Sequence, residues 1–316
     1  MKVTEYFEQA KDKTLISFEV LPPLKGGNMK DIFDSLDPLM EFKPPFIDVT
    51  YHREEYIYNM KESGYYEKTA IRKRPGTVGI CASIMHRYGV DAVPHLICGG
   101  FSKEETENAL IDLKFLGIHN VLALRGDARQ FEDKFIAETD GHQFAVELVG
   151  QINGMNNGIY LDSNIENGSK TDFCIGVAGY PEKHFESPNL ETDINFLKEK
   201  VNAGADYIVT QMFYDNSKFF DFVDACRKAN INIPIVPGLK PITRKNQLSA
   251  LPRKFFINMP DELVREMNKT DEKNIKQVGI EWCIAQSKEL KARGVPCLHY
   301  YTMGDSHTIT KIAKSL

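Results

Sequence analysis

Eight short segments rich in β-branched and aromatic residues recur along the chain, and they restrict its possible folds more than any other feature. They read LISFEV, FIDVTY, AVPHLIC, NVLAL, DFCIGVA, YIVTQM, IPIVP and CLHYYT. Most are continuously apolar and do not alternate with polar residues, which is typical of parallel strands buried on both faces. Because such strands need helices to cover both faces of their sheet, we expect strand and helix to alternate along the chain.

Helical patterns do separate these strands. Ser102 followed by Glu105 forms a capping box, and the apolar face that follows ends at Gly117. Similar apolar stripes lie in 194–201, 219–226 and 275–285. The segment TVGICASIMHRYG is ambiguous, because its β-branched start favours a strand while its apolar residues have helical spacing. We predict a helix here that ends at Gly89.

With this helix, strand and helix alternate eight times, and repeated right-handed crossovers can close the sheet into a barrel. We therefore predict an α/β fold, a single (β/α)8 TIM barrel catalytic domain over residues 1–316, with a short N-terminal helix. Residues 153–170, between the fourth helix and the fifth strand, are rich in Asn and Gly and predict a surface insertion with a short hairpin around IYLD. A doubly wound open sheet is the alternative. It would usually carry a Gly-rich phosphate turn, which SFEVLPPLKGG lacks.

Charge and cysteine usage favour small-molecule partners. The 39 basic and 44 acidic residues give a formal charge of -5, and neither sign forms a block that would bind nucleic acid or a membrane. The six cysteines include no CxxC pair, and no second pair accompanies His95-x-x-Cys98, so we expect no disulfide framework and no metal site. The polar N-terminal segment and the lack of a long apolar stretch predict a cytoplasmic protein.

Polar residues are concentrated where the predicted strands end. Catalytic groups of such barrels lie at the carboxyl ends of the strands. The residues there are Glu19; Thr50, Tyr51 and His52; His95; Arg125, Gly126 and Asp127; Tyr180; Gln211; and His299, Tyr300 and Tyr301. From residue type alone, a carboxylate such as Glu19 is more often solvated or ion-paired than catalytic, and a histidine such as His95 is more often part of a core.

Seven motifs occur in the order typical of methylenetetrahydrofolate reductases. They are SFEVLPP at 17–23, DVTY at 48–51, PHLIC at 94–98, ALRGD at 123–127, AGYPEKH at 178–184, NAGADYIVTQMFYD at 202–215 and LHYYT at 298–302. Together they extend over nearly the whole chain, which resembles the bacterial-type members with a single catalytic domain. The resemblance implies an FAD-dependent oxidoreductase of one-carbon metabolism and methionine biosynthesis. It would reduce 5,10-methylenetetrahydrofolate to 5-methyltetrahydrofolate with NADH or NADPH by ping-pong hydride transfer.

The resemblance also implies roles for individual residues. Glu19 would be the general acid that protonates N10 of the folate, with a pKa raised by desolvation. Asp127 would be the second catalytic residue, and both carboxylates would contact the substrate together with Gln211 and Gln247. The flavin would be held by Thr50, Tyr51, His95, Arg125, Gly126, Asp127, Phe144, Ala145, Ala178, Tyr180, His184, Asp193 and Lys200. Of these, Arg125, His184 and Lys200 can meet the diphosphate charge.

Some features leave alternatives open. Gly304 and Asp305 stand where many relatives have Asn and Arg, and Leu251 stands where some have Phe, so the contacts to the folate tail are undecided. Other functions compatible with the pattern are a different FAD-dependent barrel oxidoreductase of the proline-dehydrogenase kind, a non-catalytic flavin- or folate-binding protein, and a flavin-free lyase. The electron donor is open among NADH, NADPH and a protein partner, and a homo-oligomer is expected.

Overall fold

The computed structural model describes residues 1–129 and 132–316, and within them most strands belong to one parallel sheet. The strands are β1 (Leu15–Val20), β2 (Phe46–Val49), β3 (Glu55–Met60), β4 (Tyr66–Ile71), β5 (Asp91–Ile97), β6 (Asn120–Leu124), β7 (Cys174–Gly179), β8 (Tyr207–Thr210), β9 (Ile235–Val236), β10 (Gly238–Leu239) and β11 (Cys297–Tyr301). The sheet runs in the order β10-β11-β1-β2-β5-β6-β7-β8-β9, while β3 and β4 form a separate antiparallel hairpin.

The sheet closes through its seventh barrel strand, which is broken in two at Pro237. The half before it, β9, pairs with β8, and the half after it, β10, pairs with β11. Proline has no N–H to donate and therefore interrupts a hydrogen-bonded ladder. Each of the eight segments that were predicted as strands contains a strand of this sheet. The prediction of a (β/α)8 TIM barrel is therefore confirmed.

Helices connect the strands and cover the barrel. They are α1 (Val3–Ala10), α2 (Met29–Leu36), α3 (Thr77–Tyr88), α4 (Lys103–Phe115), α5 (Ala145–Asn156), α6 (Leu190–Asn202), α7 (Asn216–Lys228), α8 (Gln247–Phe255), α9 (Asp261–Lys269), α10 (Ile275–Ala292) and α11 (Ser306–Ala313), with 3-10 turns at Asp37–Phe42 and Glu272–Asn274. The ambiguous segment is helix α3, which ends at Gly89 with φ +64°. The predicted capping box of α4 is also present: Glu105 N donates to Ser102 Oγ over 3.2 Å, and Ser102 N donates to the Glu105 carboxylate over 2.8 Å.

The N-terminal helix α1 lies against the amino-terminal end of the barrel. Val3 and Phe7 are buried in one cluster with Phe46 and Tyr207, and Val3 N donates to the side chain of Asn120 over 2.8 Å. This helix therefore covers the amino-terminal end of the barrel. All six cysteines are buried with free thiols. Within the described ranges, no helix combines the length and apolar character that a membrane crossing requires.

The predicted insertion differs from expectation. Its first residues belong to α5, and residues 157–173 contain no strand, so the prediction of a hairpin around IYLD is wrong. The reason is that backbone groups of this segment bind elsewhere and are not free to pair across a hairpin. Leu161 N donates to the Glu107 carboxylate on α4 over 2.8 Å, and Ser169 O accepts from the Tyr160 hydroxyl over 2.6 Å. The β3–β4 hairpin and the helices α8 and α9 were not predicted.

Candidate active site

A large cavity opens at the carboxyl ends of the barrel strands. Its volume is about 1330 Å³, which exceeds the roughly 300–1,000 Å³ typical of a site for one small ligand. It is lined by every residue that the sequence singled out for catalysis or binding, namely Glu19, Thr50, Tyr51, His95, Arg125, Gly126, Asp127, Phe144, Ala145, Ala178, Tyr180, His184, Asp193, Lys200, Gln211 and Gln247. The fold therefore brings together residues that lie far apart along the chain.

Glu19, near the end of β1, lies on the cavity wall among polar groups from neighbouring strands. Its side chain is only 13% exposed. Thr50 Oγ1 donates to Oε1 over 2.9 Å, which fixes one oxygen of the carboxylate. The other oxygen, Oε2, is 3.6 Å from His95 Nε2 and 3.9 Å from His299 Nε2. The carboxyl group is thus held in place on one side and faces two imidazoles on the other.

These neighbours decide the pKa of Glu19. Burial raises the pKa of the carboxyl, but the imidazoles of His299 and His95 and the hydroxyl of Thr50 stabilise the anion and together bring the pKa below its ordinary value. The expectation that desolvation raises the pKa of Glu19 is therefore wrong for this structure. The sequence reasoning counted burial alone and did not place two histidines beside the carboxylate.

His95 was predicted to bind the flavin, and it lies between two carboxylates. Its Nε2 atom is 3.5 Å from Asp48 Oδ2 on β2 as well as 3.6 Å from Glu19. Burial lowers the pKa of His95, but the two negative charges outweigh that effect and raise it above the ordinary value. His299 is fixed separately, because its Nδ1 atom is 2.8 Å from the hydroxyl of Ser17.

Asp127 follows Gly126 directly after β6 and presents an exposed carboxylate to the cavity. Gly126 has φ +86°, a backbone conformation that favours glycine. Neighbouring Arg125 forms an ion pair with Glu186 and not with Asp127. Among the described residues no ion pair involves Asp127. Its negative charge is therefore not neutralised by Arg125 or by another of these side chains.

Two glutamines line the cavity after β8 and at the start of α8. Gln211, just after β8, accepts a hydrogen bond from Met212 N on its own side-chain oxygen over 2.9 Å. Gln247 uses its oxygen to accept from Thr243 N over 2.7 Å and from Arg244 N over 3.0 Å, which fastens the turn before α8. In both cases the oxygen is engaged by backbone, so the amide N–H groups are the part suited to a ligand.

Cationic groups follow β6 and β7, where the diphosphate was predicted. Lys200 Nζ donates to Ala178 O over 2.7 Å, and burial lowers the pKa of Lys200 to about 8 against the opposing charge of Asp193. Asp193 accepts from Ser187 Oγ over 2.7 Å and from His184 N over 3.1 Å, so it fastens the loop between β7 and α6.

The sequence reasoning did not identify a second group of cationic residues in the cavity. Lys240, Arg244 and Lys254 line the cavity beyond β10 and on α8. Burial lowers the pKa of Lys240, while the charges of Glu19 and Asp305 oppose that shift. Asp305 is itself paired with Lys276 over 2.8 Å. The rule applied to the other strands, that polar residues at strand ends line the site, would have found Lys240 because it directly follows the seventh strand.

Similarity to sequenced relatives extends along the whole chain. The sequence model of the family described as methylenetetrahydrofolate reductase matches residues 3–316. The Arabidopsis thaliana protein named methylenetetrahydrofolate reductase (NADH) 1 is 33% identical over 96% of this chain, which corresponds to 48% of that protein. The Salmonella typhimurium 5,10-methylenetetrahydrofolate reductase is 29% identical over 95% of this chain and 90% of its own length. The chain thus spans about half the length of its plant, yeast and worm relatives and most of its bacterial ones.

Similarity to solved structures concerns the barrel fold. A Clostridium thermocellum protein, described as binding two copies of 5-methyl-5,6,7,8-tetrahydrofolic acid, superposes with a TM-score of 0.60 at 12% identity, covering 99% of both chains. Oxaloacetate acetylhydrolase in complex with oxalate reaches a TM-score of 0.51 at 9% identity, covering 98% of this chain and 83% of that one. The sequence matches, in contrast, extend over residues 3–316, which include all the motifs that line the cavity. They show that the chain belongs to the methylenetetrahydrofolate reductase family.

Proposed function

We propose that this protein reduces 5,10-methylenetetrahydrofolate to 5-methyltetrahydrofolate, with FAD as cofactor, NADH or NADPH as reductant and Glu19 as general acid. The observation that carries the proposal is the convergence of Glu19, Asp127 and Gln211 on one cavity from the ends of β1, β6 and β8. They are an acid, an anion and an amide, the three kinds of group that this reaction uses on a pterin. Family membership supports the same chemistry.

The cavity residues fit a flavin dinucleotide. The Glu186 carboxylate, ion-paired with Arg125 and 4.0 Å from His184 Nδ1, marks a position where an anion is stabilised. A diphosphate would take this position and would also attract Lys200. The backbone of Gly126 has no side chain to keep a flat ring at a distance. When bound, the flavin would supply hydride transfer between the nicotinamide and the folate.

Glu19 would hold and deliver the proton. Thr50 fixes Oε1 by its hydrogen bond, so Oε2 is the atom that carries the proton to N10 of the folate. A pterin ring lying over the carboxyl would displace water and favour the neutral, protonated form. Asp127 would stabilise the positive charge that develops on the opened substrate, and the N–H groups of Gln211 would orient the pterin.

The second cationic group would bind the carboxylates of the folate tail. Lys240, Arg244 and Lys254 line one side of the cavity. Within the described residues none of them forms an ion pair with a carboxylate. They would take the place of the cation that many relatives carry near positions 304–305, where this chain has Gly304 and Asp305.

The proposal is tested by anaerobic titration of the purified protein carrying FAD. Addition of NADH or NADPH should bleach the flavin, and subsequent addition of methylenetetrahydrofolate should restore the yellow colour. Glu19→Gln should bleach at the wild-type rate and fail to regain colour, and Gln9→Glu, at the far end of the barrel, is the matched control. Folate turnover that persists in Glu19→Gln would refute the role of Glu19.

The same titration distinguishes the other functions. A protein that takes up no FAD would favour a flavin-free lyase. A yellow protein that no reduced nicotinamide bleaches would favour a non-catalytic binding protein or a protein electron donor. A flavin that is bleached but is reoxidised by substrates other than the folate would favour a different barrel oxidoreductase.

A further inference from the structure

A buried carboxylate without a hydrogen-bond partner lies behind Glu19. The side chain of Asp48 is 1% exposed, and neither of its oxygens has a hydrogen-bond partner in the part of the chain that the structure describes. An ionised carboxylate in such surroundings is costly unless a positive charge compensates it, so its presence requires an explanation. The nearest cationic group is the imidazole of His95, at 3.5 Å.

His95 lies between this carboxylate and Glu19. Its side chain is 4% exposed, and the two carboxylate oxygens are at nearly equal distances from Nε2, 3.5 Å to Asp48 and 3.6 Å to Glu19. A neutral imidazole would leave the Asp48 carboxylate without compensation, whereas an imidazolium stabilises both Asp48 and Glu19. The geometry therefore favours a protonated His95 whose Nε2–H lies between Asp48 and the acid of the reaction.

We propose that Asp48 and His95 are positioning residues that store a proton next to Glu19. The inference rests on the proposed function of Glu19 as general acid. Asp48 supplies the fixed negative charge that keeps the proton on His95 Nε2. In the transfer, the Nε2–H bond of His95 breaks and an O–H bond forms at Glu19 Oε2. The O–H bond of Glu19 then breaks as an N–H bond forms at N10 of the folate, which leaves Glu19 as the anion, and the neutral His95 takes up the proton that each turnover consumes from the bulk solvent.

The distances allow this transfer with little movement. Nε2 and Oε2 are 3.6 Å apart, and an approach of about 0.4 Å brings them within hydrogen-bond distance. His299 is the competing store, but it is 3.9 Å from Glu19 and has Ser17 as its other partner. Only His95 has a second carboxylate at its Nε2 atom among the described residues. The charge of Asp48 therefore makes His95, and not His299, the residue that stores the proton.

Other titratable and charged groups face the pair from every neighbouring element and set its background. They are Cys81 on α3, Tyr207 on β8, Lys240 after β10, Cys297, His299 and Tyr301 on β11, and His52 after β2. Lys240 is a positive charge near Glu19 and therefore opposes protonation of His95. The negative charge of Asp48 is needed to offset this effect and keep His95 protonated. The test must therefore change Asp48 and leave these groups unaltered.

The first measurement follows the histidine directly. The protein with FAD bound, labelled with 13C-histidine, is titrated by NMR, and the His95 signal is assigned by its loss in His95→Gln. In Asp48→Asn the midpoint of this signal should fall by about 1 pH unit or more, because an opposite charge within about 4–6 Å has been removed. Asp206→Asn, a carboxylate at the amino-terminal end of the barrel that accepts from Ile175 N over 2.7 Å, is the matched control and should leave the midpoint unchanged. An unaltered midpoint in Asp48→Asn overturns the inference.

The second measurement separates this inference from the proposed function. Reoxidation of the reduced flavin by methylenetetrahydrofolate should lose its rate at a lower pH in Asp48→Asn than in the wild type, by the same interval as the NMR midpoint. Bleaching by reduced nicotinamide should keep its pH profile. A shifted midpoint with an unshifted profile also overturns the inference, whereas folate reduction that survives in Glu19→Gln refutes the proposed function instead. Asp48→Ser replaces Asp48→Asn if thermal melting shows that the latter does not fold.

Discussion

Replacing Lys200 by Met should make the FAD-stripped protein more stable while it weakens FAD binding. Lys200 lies on α6 with its ammonium against the end of β7, where it donates to Ala178 O over 2.7 Å. In the described residues it forms no ion pair with a carboxylate, and burial lowers its pKa to about 8 from the ordinary 10.5. The folded protein thus holds a positive charge that is poorly compensated within the chain.

The magnitude follows from the pKa. The fall from 10.5 to about 8 is a difference of about 2.5 pH units, which at about 1.4 kcal/mol per unit disfavours the charged form by about 3 kcal/mol. Met removes this cost and also removes the hydrogen bond from the charged Lys200 to Ala178 O, worth about 2 kcal/mol. The expected net gain in the free energy of unfolding at pH 7 is about 1 kcal/mol.

The pH dependence of the free energy of unfolding shows independently that the charge of Lys200 destabilises the folded protein. The pKa of Lys200 is lower in the folded than in the unfolded protein, so below pH 8 both states hold the proton and the full cost is present. Between pH 8 and 10.5 the folded protein releases the proton while the unfolded protein keeps it. This difference in proton binding contributes a rise in wild-type stability over that interval. The contribution should be absent in Lys200→Met.

The assay is urea unfolding of the FAD-stripped proteins at pH 7 and at several values up to pH 10, together with FAD titration by fluorescence quenching. Lys198→Met, on the same helix, is the matched control for replacing a lysine on α6. FAD affinity should fall by about 10-fold or more in Lys200→Met, since a hydrogen bond to a charged group contributes about 1.5–3 kcal/mol. The reasoning is refuted if Lys200→Met is less stable than the wild type at pH 7 and keeps the rise in stability above pH 8.

Three further substitutions test the remaining parts of the cavity. Glu186→Gln removes the carboxylate that competes for Arg125, so FAD affinity should rise by up to about 5-fold, the value of an exposed ion pair, as measured by the same fluorescence titration. Gly126→Ala places a side chain on a backbone with φ +86°, which should cost about 1–2 kcal/mol of stability and reduce FAD uptake, as seen by urea unfolding and by the yellow colour of the purified protein. Lys240→Met should raise the KM for methylenetetrahydrofolate about 10-fold, with a larger effect on substrates that carry more glutamates, and should leave the KM for the reduced nicotinamide unchanged.

The barrel was predictable because its strands are buried on both faces. Burial requires continuously apolar segments, and such segments are visible in the sequence without any knowledge of tertiary contacts. The β3–β4 hairpin shows the limit of this rule. Its residues are largely exposed, and it is stabilised by cross-strand pairs such as Lys61–Glu67 and Lys73–Glu55 and by Lys68 over the ring of Tyr56. These contacts leave no apolar pattern in the sequence.

The site was predictable as a set of residues and not as a set of contacts. Strand ends and family motifs indicated which side chains line the cavity, because the barrel brings all carboxyl ends to one face. The pKa of Glu19 depends on His95 and His299, and the ion pair of Arg125 depends on Glu186. These partners come from separate loops and strands, so which of them approach within 4 Å is decided by the packing of the folded protein.

The two cationic groups lie on different sides of the cavity, and this arrangement bears on how one cavity could serve two anionic ligands. Lys200 and Arg125 belong to the side formed by β6, β7 and α6, whereas Lys240 belongs to the side formed by β10 and α8. If the diphosphate and the folate tail shared the same cations, release of the folate would compete with retention of FAD. With separate cations, the folate can exchange while FAD stays bound. Lys200→Met should then affect FAD affinity alone and Lys240→Met folate affinity alone, and a double variant should show the sum of the two effects because the sites share no partner.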